Sequence, residues 1–436
     1  MAEKKKKVLI ITYYWPPGSG PGVQRFLKMS KFLYEFGWEP IILTVKNGSY
    51  PSTDPSLTND ISEKLQICKT KTIEPFSIYN KLTGGKGKQV GVGLIGLQDK
   101  KSLIKRLSLF IRANIFLPDA RRGWIPFAFK KAKQIHEKEK LDSIVTTGPP
   151  HSTHFIGLKL KKNFSLPWLV DMRDPWSNNF FNKSLPRTNY TKKLERKFED
   201  KILTSADFIT TVSPGLKEEF KNRNQNIEVI YNGYDQEDIP ETIQYKNSVF
   251  SLSYIGNLKP NQNITTLWKA IQELCDEIEG FKENFKISLT GNMDGNIKDE
   301  LNKRDLLEMT NIQPFVPHNK ATELMNRSQL LLFIVPKADS NKLIITGKLF
   351  EYIATCSPIL PIGPVDGDAS RVLKDVGRDY MLDYNDKKGI KNTISKYYQL
   401  WSKNNGLNYK HTSSDFTKYN RYALTRDFSN ILNRIS

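Results

Sequence analysis

The chain has 436 residues, a length that suits two or three domains. With 38% hydrophobic and 11% aromatic residues it can fill two sizeable cores, which excludes a wholly disordered chain, and its three cysteines (Cys68, Cys275, Cys356) lie too far apart for a metal-ligand spacing or a disulfide scaffold. The net charge of +20 is uneven: residues 1–195 carry 34 Lys and Arg against 15 Asp and Glu, and the remainder 32 against 31, so the first half either meets a polyanion (nucleic acid, an anionic membrane surface, a phosphorylated substrate) or presents a basic surface without one.

Residues 4–7 are four lysines and 8–15 are mostly apolar, but the apolar run is short, stops at Pro16 and Pro17 and has no small-residue cleavage site. A first β-strand over 8–12 explains it better than a signal peptide. A Pro/Gly-rich loop (16–22) follows, then apolar residues at helical spacing over 23–36 with Gly37 as the C-cap, then a strand over 40–45. This β-loop-α-β unit opens a doubly wound fold. Six glycines at 84–96 read as a loop. Residues 100–133 hold ten Lys and Arg against one acid, interleaved with Leu107, Phe110, Ile115, Phe116, Trp124 and Phe127. Such a segment reads either as a basic amphipathic helix on an anionic membrane or as one packed on its own domain.

Strands are expected at 143–147, 168–171, 206–212 and 227–230, with a helix over about 152–162. A second α/β set starts near 249, with strands at 250–255, 285–290, 330–335 and 358–362 and helices at 267–278 and 348–354. A helix over 419–435 ends the sequence. No stretch reaches the ~20 apolar residues of a membrane span.

The most informative segment is 346–354, Thr-Gly-Lys-Leu-Phe-Glu-Tyr-Ile-Ala. Gly347 opens a predicted helix, so backbone can approach a ligand and the free N–H groups of the helix end can meet a diphosphate. Lys348 adds a full positive charge, and Glu351 lies on the same face one turn on, where it can accept from two ribose hydroxyls.

Several segments, in order, resemble the family 4-like glycosyltransferases of the GT-B fold: 229–235 (Val-Ile-Tyr-Asn-Gly-Tyr-Asp), 254–258 (Tyr-Ile-Gly-Asn-Leu), 289–291, 315–319 and, most specifically, 346–354 followed by 358–360. The resemblance spans residues 8 to about 384. It implies an α/β, GT-B architecture: two Rossmann-like doubly wound domains facing a central cleft. The first domain (1–240, with the C-terminal helix 415–436 packing back on it) would bind the acceptor, and the second (245–412) the nucleotide sugar. The implied donor-binding residues are Gly256, Asn257, Lys259, Thr346, Gly347, Lys348, Leu349 and Glu351, with Lys348 also stabilising the leaving diphosphate. Two departures from the family pattern stand out. Leu343 occupies the position, eight before Glu351, where the family carries a second glutamate. After Gly256, Asn257 and Gln262 stand where the family has its diphosphate-clamping Arg and Lys, so Lys259 and Arg371 become further candidates.

In the first domain the loop Gly18-Ser19-Gly20-Pro21-Gly22 resembles the family's glycine-rich loop beside the donor diphosphate and acceptor, and Gln24 and Arg25 in the next helical turn can face the cleft. The loop is not a dinucleotide fingerprint, because Val23 holds the last glycine position. His151 and His154, after a strand, are candidate proton relays, against the alternative of capping or core histidines. Asp174 is a candidate for orienting or deprotonating the acceptor hydroxyl, and Arg173 for holding an acceptor phosphate, against an Arg–Asp pair that fixes the loop. Asp366-Gly367-Asp368 has the spacing of a metal motif but lies late in the second domain, so no metal or other cofactor is expected.

The expected function is therefore retaining transfer of a sugar from a nucleotide-diphosphate donor to a glycan or lipid-linked glycan hydroxyl in cell-surface polysaccharide assembly. The expected setting is the cytoplasm, peripheral at the inner face of the plasma membrane, with no nucleic-acid partner. The alternatives are a nucleotide-sugar epimerase or a phosphorylase of the same fold, or a non-catalytic polyanion-binding relative.

Overall fold

The computed structural model describes residues 4–74, 103–179, 185–238, 245–407, 409–411 and 415–436; the glycine-rich stretch at 84–96 and the start of the basic segment at 100–102 lie outside them. The chain divides into two compact units, residues 1–231 with 422–436, and residues 232–421.

The first unit is built on seven parallel strands: β1 (Lys6–Ile11), β2 (Trp38–Val45), β3 (Gln66–Thr70), β4 (Ser143–Gly148), β5 (Trp168–Met172), β6 (Phe208–Thr211) and β7 (Ile227–Val229). Their order is β3-β2-β1-β4-β5-β6-β7. The helices are α1 (Pro21–Phe32), α2 (Leu103–Asn114), α3 (Ile125–Glu139), α4 (His154–Phe164), α5 (Asn189–Ser205) and α6 (Pro214–Phe220). The inner strands are buried on both faces, as their continuous apolar runs require. β3 carries no such run because it is an edge strand, and its Gln66 and Lys69 face solvent.

Gly20, at φ 113, turns the chain into α1, with Pro21 at the first helical position. Gly37, at φ 80, supplies the left-handed residue that ends the following turn of 3₁₀ helix. The C-terminal segment belongs to this unit's core: Phe428 stacks edge-on against Phe26, and Trp38 Nε1 donates to Asn433 Oδ1 at 3.2 Å.

The basic stretch is not one surface helix. It is broken between α2 and α3, and Trp124 is buried, edge-on to Tyr13, with its Nε1 donating to Thr70 Oγ1 at 2.7 Å. Arg121 is buried too, 3.3 Å from Glu74. Phe110 and Ile115 do remain exposed, at 43% and 59%.

The second unit has five parallel strands, β8 (Phe250–Ile255), β9 (Phe285–Thr290), β10 (Thr310–Gln313), β11 (Leu330–Ile334) and β12 (Ile359–Ile362), in the order β10-β9-β8-β11-β12. Its helices are α7 (Thr265–Glu277), α8 (Phe281–Asn284), α9 (Gly295–Asn302), α10 (His318–Arg327), α11 (Gly347–Ala354), α12 (Asp368–Asp375) and α13 (Lys387–Lys403); α14 (Arg421–Ile435) leads back into the first unit. The core of the second unit joins Leu252, Ile287 and Leu332 of the sheet to Trp268 of α7 and to Ile394 and Trp401 of α13.

Both sheets share one topology. The strand order reverses between β1 and β4 in the first unit and between β8 and β11 in the second. In open parallel sheets ligands bind at the carboxyl ends of the strands that flank such a reversal.

Candidate functional site

In the first unit the reversal point gathers the loop after β1, the turn after β4 and the start of α4. The turn (His151–Thr153) is pinned by Asp119, which accepts from Ser152 N and Ser152 Oγ, both at 2.8 Å. His151 lies flat on Trp176, with ring centroids 4.7 Å apart. Thr146 Oγ1 is 2.9 Å from His154 Nδ1 and accepts from Trp168 Nε1 at 2.9 Å. Nδ1 of His151 and Nε2 of His154 are buried without a hydrogen-bond partner. Both lie against Gly148, where a Cβ would overlap His154 Nε2 and stand 3.0 Å from His151 Nδ1. Burial, with positive charge from His154 and Arg173, holds His151 well below the usual imidazole range. Burial and Arg173 push His154 down to about 3. Both rings are therefore neutral near pH 7.

Arg173, just past β5, donates from Nε to Thr147 Oγ1 at 3.0 Å and from Nη2 to Pro149 O at 2.6 Å. Its guanidinium fills the space over Gly22, where a Cβ would overlap it. The glycine-rich loop, Arg173 and the histidine turn thus form one cluster. Gly18 pairs with Thr53, and Ser19 Oγ is 2.7 Å from Ser52 Oγ, so the loop is tied back to the chain after β2. Asp174 is exposed and acts on Arg173 through its charge.

Arg25 does not face a ligand. Its side chain is fully buried: Nη2 and Nε donate to Asp171 at 2.8 and 3.3 Å, and Nη1 donates to the carbonyls of Ile230 and Tyr231, each at 2.8 Å. Asp171 also accepts from Thr147 and Thr210, both at 2.8 Å. A carboxylate buried in a strand must be paired, and Arg25 is its close partner, with Arg173 Nε a further 3.9 Å contact.

In the second unit the reversal point is framed by the end of β8 and the start of α11. Gly256, at φ 129, packs against Gly291, whose Cβ would stand 2.5 Å from Gly256 O. A Cβ on Gly256 would stand 2.6 Å from Lys348 Nζ. That ammonium sits 3.6 Å from the ring centroid of Tyr254, a cation–π contact. Tyr254 is held by Gln262, whose Nε2 donates to its hydroxyl at 3.1 Å, and donates in turn to Asn257 O at 3.1 Å. Gln262 is thus a buried brace, its amide also donating to Ile334 O at 3.0 Å, and does not stand in for a phosphate-clamping cation. Lys259 is exposed, three residues beyond Gly256.

Thr346 occupies the N-cap of α11, and its Oγ1 is buried without a partner. Leu349 is fully buried in the core, so its side chain is not a ligand contact, and its N–H is spent on Thr346 O at 3.1 Å. Glu351 lies a turn further on, and its charge reaches His318, the first residue of α10. His318 Nε2 is 3.3 Å from Asp238 Oδ2, which is also 3.6 Å from Arg421 Nη1. Burial lowers the His318 pKa, but the bond to Asp238 and the charges of Glu351 and Asp238 outweigh it, and the pKa ends raised. Arg371 is paired with Asp368 at 3.0 Å within the first turn of α12. Among the described residues no group of three His, Cys, Asp or Glu side chains could hold a metal ion.

Reading the residues in order did not single out Asp171, Trp176 or Tyr254 for these roles, and it met His318 only inside a motif. Each acts through a partner distant in sequence, so no local spacing marks it.

Two doubly wound units with candidate ligand ends at their strand-order reversals define the GT-B class of glycosyltransferase folds. Residues 92–238 match the family model described as Glycosyltransferase Family 4. No curated protein matches the chain. Among solved structures, TarM of S. aureus, in complex with Fondaparinux, alpha-GlcNAc-glycerol and UDP, aligns with a TM-score of 0.59 at 11% identity, covering 98% of this chain and 100% of that one. WaaG, a glycosyltransferase involved in lipopolysaccharide biosynthesis, aligns at 0.55 with 11% identity over 98% of this chain and 99% of that one. A Listeria monocytogenes protein assigned as a UDP-N-acetylglucosamine 2-epimerase aligns at 0.52 with 9% identity, over 97% and 94%. The family match and the fold together bear out the resemblance to family 4-like glycosyltransferases of the GT-B fold.

Proposed function

We propose that the protein is a glycosyltransferase that takes a sugar from a nucleotide-diphosphate donor bound by the second unit and passes it to a hydroxyl of an acceptor bound by the first. The observation that carries this reading is Lys348. Its ammonium lies at the N-terminal end of α11, on Tyr254 and beside Gly256, at the strand-order reversal of β8 and β11. A cation, a helix end with free N–H groups and a glycine that admits close backbone approach suit a diphosphate, and they can stabilise the charge that develops as it leaves. Glu351 anchors the ribose. The donor requires no metal in this reading, since Lys348 and the helix end supply the positive potential. Arg173 and the two histidines serve the acceptor and the sugar, with Asp174, exposed beside Arg173, as the carboxylate that orients or deprotonates the acceptor hydroxyl.

TarM with UDP and WaaG in lipopolysaccharide biosynthesis support a nucleotide sugar and a surface glycan as substrates. No helix among the described residues is long and apolar enough to cross a membrane. The excess positive charge of residues 1–195 and the exposed Phe110 and Ile115 suit contact with an anionic membrane that carries a lipid-linked acceptor. Thermal shift and calorimetry with UDP, GDP and their sugars test the reading; a protein that no nucleotide diphosphate stabilises overturns it. The epimerase likeness gives a second reading of the same donor site. Labelled nucleotide sugar separates the two: an epimerase changes the sugar with no acceptor present, and a transferase does not.

A further inference from the structure

The first unit also has a cavity of about 630 Å³ between α5, the end of α6 and the loop 177–179. One face of α5 supplies Lys192, Glu195, Arg196 and Glu199, spaced to point the same way. Two of the carboxylates are almost fully buried and already engaged. Glu195 pairs with Arg187, and Glu199 accepts from Arg223 at 2.8 Å and from Ser177 Oγ at 2.6 Å. Arg187 is itself nine-tenths buried, its side chain 8% exposed, yet its Nε is buried without a partner. Lys192 and Arg196 are exposed on the same helix face.

The chemistry of this wall selects its occupant. Every lining residue is polar or charged, so an acyl chain or an aromatic ring gains nothing there. Ion pairs fixed by burial hold donors and acceptors in set directions, which suits a ligand with many hydroxyls. Arg187 and Arg223 are already paired, with Glu195 and with Glu199 and Asp200, so the exposed Lys192 and Arg196 are the lining cations placed to meet one negative group on the ligand. We propose that this cavity binds a sugar that carries one phosphate or carboxylate, as a subsite for the charged part of the acceptor. The acceptor role rests on the transferase reading above; the binding itself does not. Lys192 and Arg196 meet the anionic group, and Arg187 Nε and the paired carboxylates meet hydroxyls.

The test uses the full chain without donor, titrated by calorimetry with glucose 1-phosphate, glucuronate, glucose and inorganic phosphate. The expected result is that glucose 1-phosphate or glucuronate binds at least about tenfold more tightly than glucose or inorganic phosphate, and which of the two wins identifies the anionic group. The Lys192→Ala/Arg196→Ala double variant, on an exposed helix face, should lose about tenfold or more of that affinity with an unchanged circular dichroism spectrum. No binding of either charged sugar, equal binding of inorganic phosphate, or an unaffected double variant overturns the proposal. UDP and GDP titrated into the same samples separate this outcome from failure of the transferase reading, because the double variant leaves α11 untouched.

Discussion

Thr146 Oγ1 stands 2.9 Å from both His154 Nδ1 and Trp168 Nε1. The indole can only donate, so the hydroxyl accepts from it and its own proton needs an acceptor. The oxygen also keeps a second lone pair, so His154 Nδ1 either accepts from the hydroxyl, leaving the ring proton on Nε2, or donates to it; we assign the first tautomer. With its pKa at about 3, His154 is then a neutral donor that points past Gly148, not a base that shuttles protons.

His154→Ala should therefore lower kcat by about 10- to 100-fold, the usual effect of deleting one well-placed donor. Thr146→Val should act in the same direction by freeing the tautomer, and Thr146→Ser should restore the rate. The measurement that decides is the pH profile of kcat/KM between pH 5 and 9. A donor of fixed tautomer contributes no inflection there, and an inflection abolished by His154→Ala would make it a general base instead.

The same ring makes the first unit acid-sensitive. In the unfolded chain an imidazole titrates near the ordinary ~6.5, and in the folded state His154 does so at about 3. Below the unfolded value the unfolded chain takes up a proton that the folded one refuses. The contribution to stability is therefore full above about pH 6.5 and falls as pH drops toward 3. His151 adds to it in the same direction. Melting temperature measured from pH 7 to pH 4 should fall less steeply in His154→Gln than in the wild type; parallel slopes would contradict the buried neutral ring.

Much of the architecture is legible in the sequence because it rests on local signals. The buried strands are apolar runs, Pro21 and Gly37 bracket the first helical stretch, and Gly347 begins α11. What is not legible depends on partners far apart in the chain. Arg25 falls in the first helical turn after a glycine-rich loop, a fair place for a ligand contact, yet Asp171 lies 146 residues later and claims it. Leu349 sits inside the most specific motif, but helical periodicity turns it into the core. Edge strand β3 escapes notice because partial burial leaves it without an apolar pattern. Trp124 reads as part of a membrane-facing stretch until Tyr13 and Thr70 are seen to hold it inside.

The Arg25–Asp171 pair predicts a stability defect, not a binding one. Both side chains have no exposed surface, so Arg25→Met leaves a buried carboxylate whose remaining counter-charge, Arg173, stands 3.9 Å away. Loss of one partner of a buried pair costs about 3–5 kcal/mol. The Arg25→Met/Asp171→Leu double variant should recover part of that, though Thr147 and Thr210 lose an acceptor. Urea unfolding monitored by tryptophan fluorescence reads the difference. An Arg25→Met protein of wild-type stability would mean that the pair is not formed.

His318 carries the opposite pH dependence. Its folded pKa is raised, through Asp238 and Glu351 against burial, so its protonated form is favoured by folding. The stabilisation is present in full below the unfolded value of about 6.5 and is lost as pH rises through the higher folded value. Melting curves between pH 6 and pH 8.5 should show this loss in the wild type and a flatter profile in His318→Asn. Nuclear magnetic resonance titration of the His318 ring gives a direct check; a midpoint below 6.5 would overturn the assignment.

Lys348 and Glu351 sit on one helix end but should fail differently. In the proposed donor site Lys348→Ala removes the charge that meets the diphosphate, so it should weaken UDP or GDP and spare the free nucleoside. Glu351→Ala removes the carboxylate proposed to accept from the ribose, so it should weaken nucleotide and nucleoside alike, by about 1.5–3 kcal/mol or roughly 10- to 150-fold. Tyr254→Leu should resemble a milder Lys348→Ala, because the ring holds the ammonium 3.6 Å from its centroid beside Gly256 and Leu offers no π-face. Calorimetry with uridine, guanosine and their diphosphates separates these outcomes. Should Glu351→Ala weaken the diphosphate but not the nucleoside, the carboxylate acts on Lys348 or His318 and not on the ribose, and the donor would have to lie differently along α11.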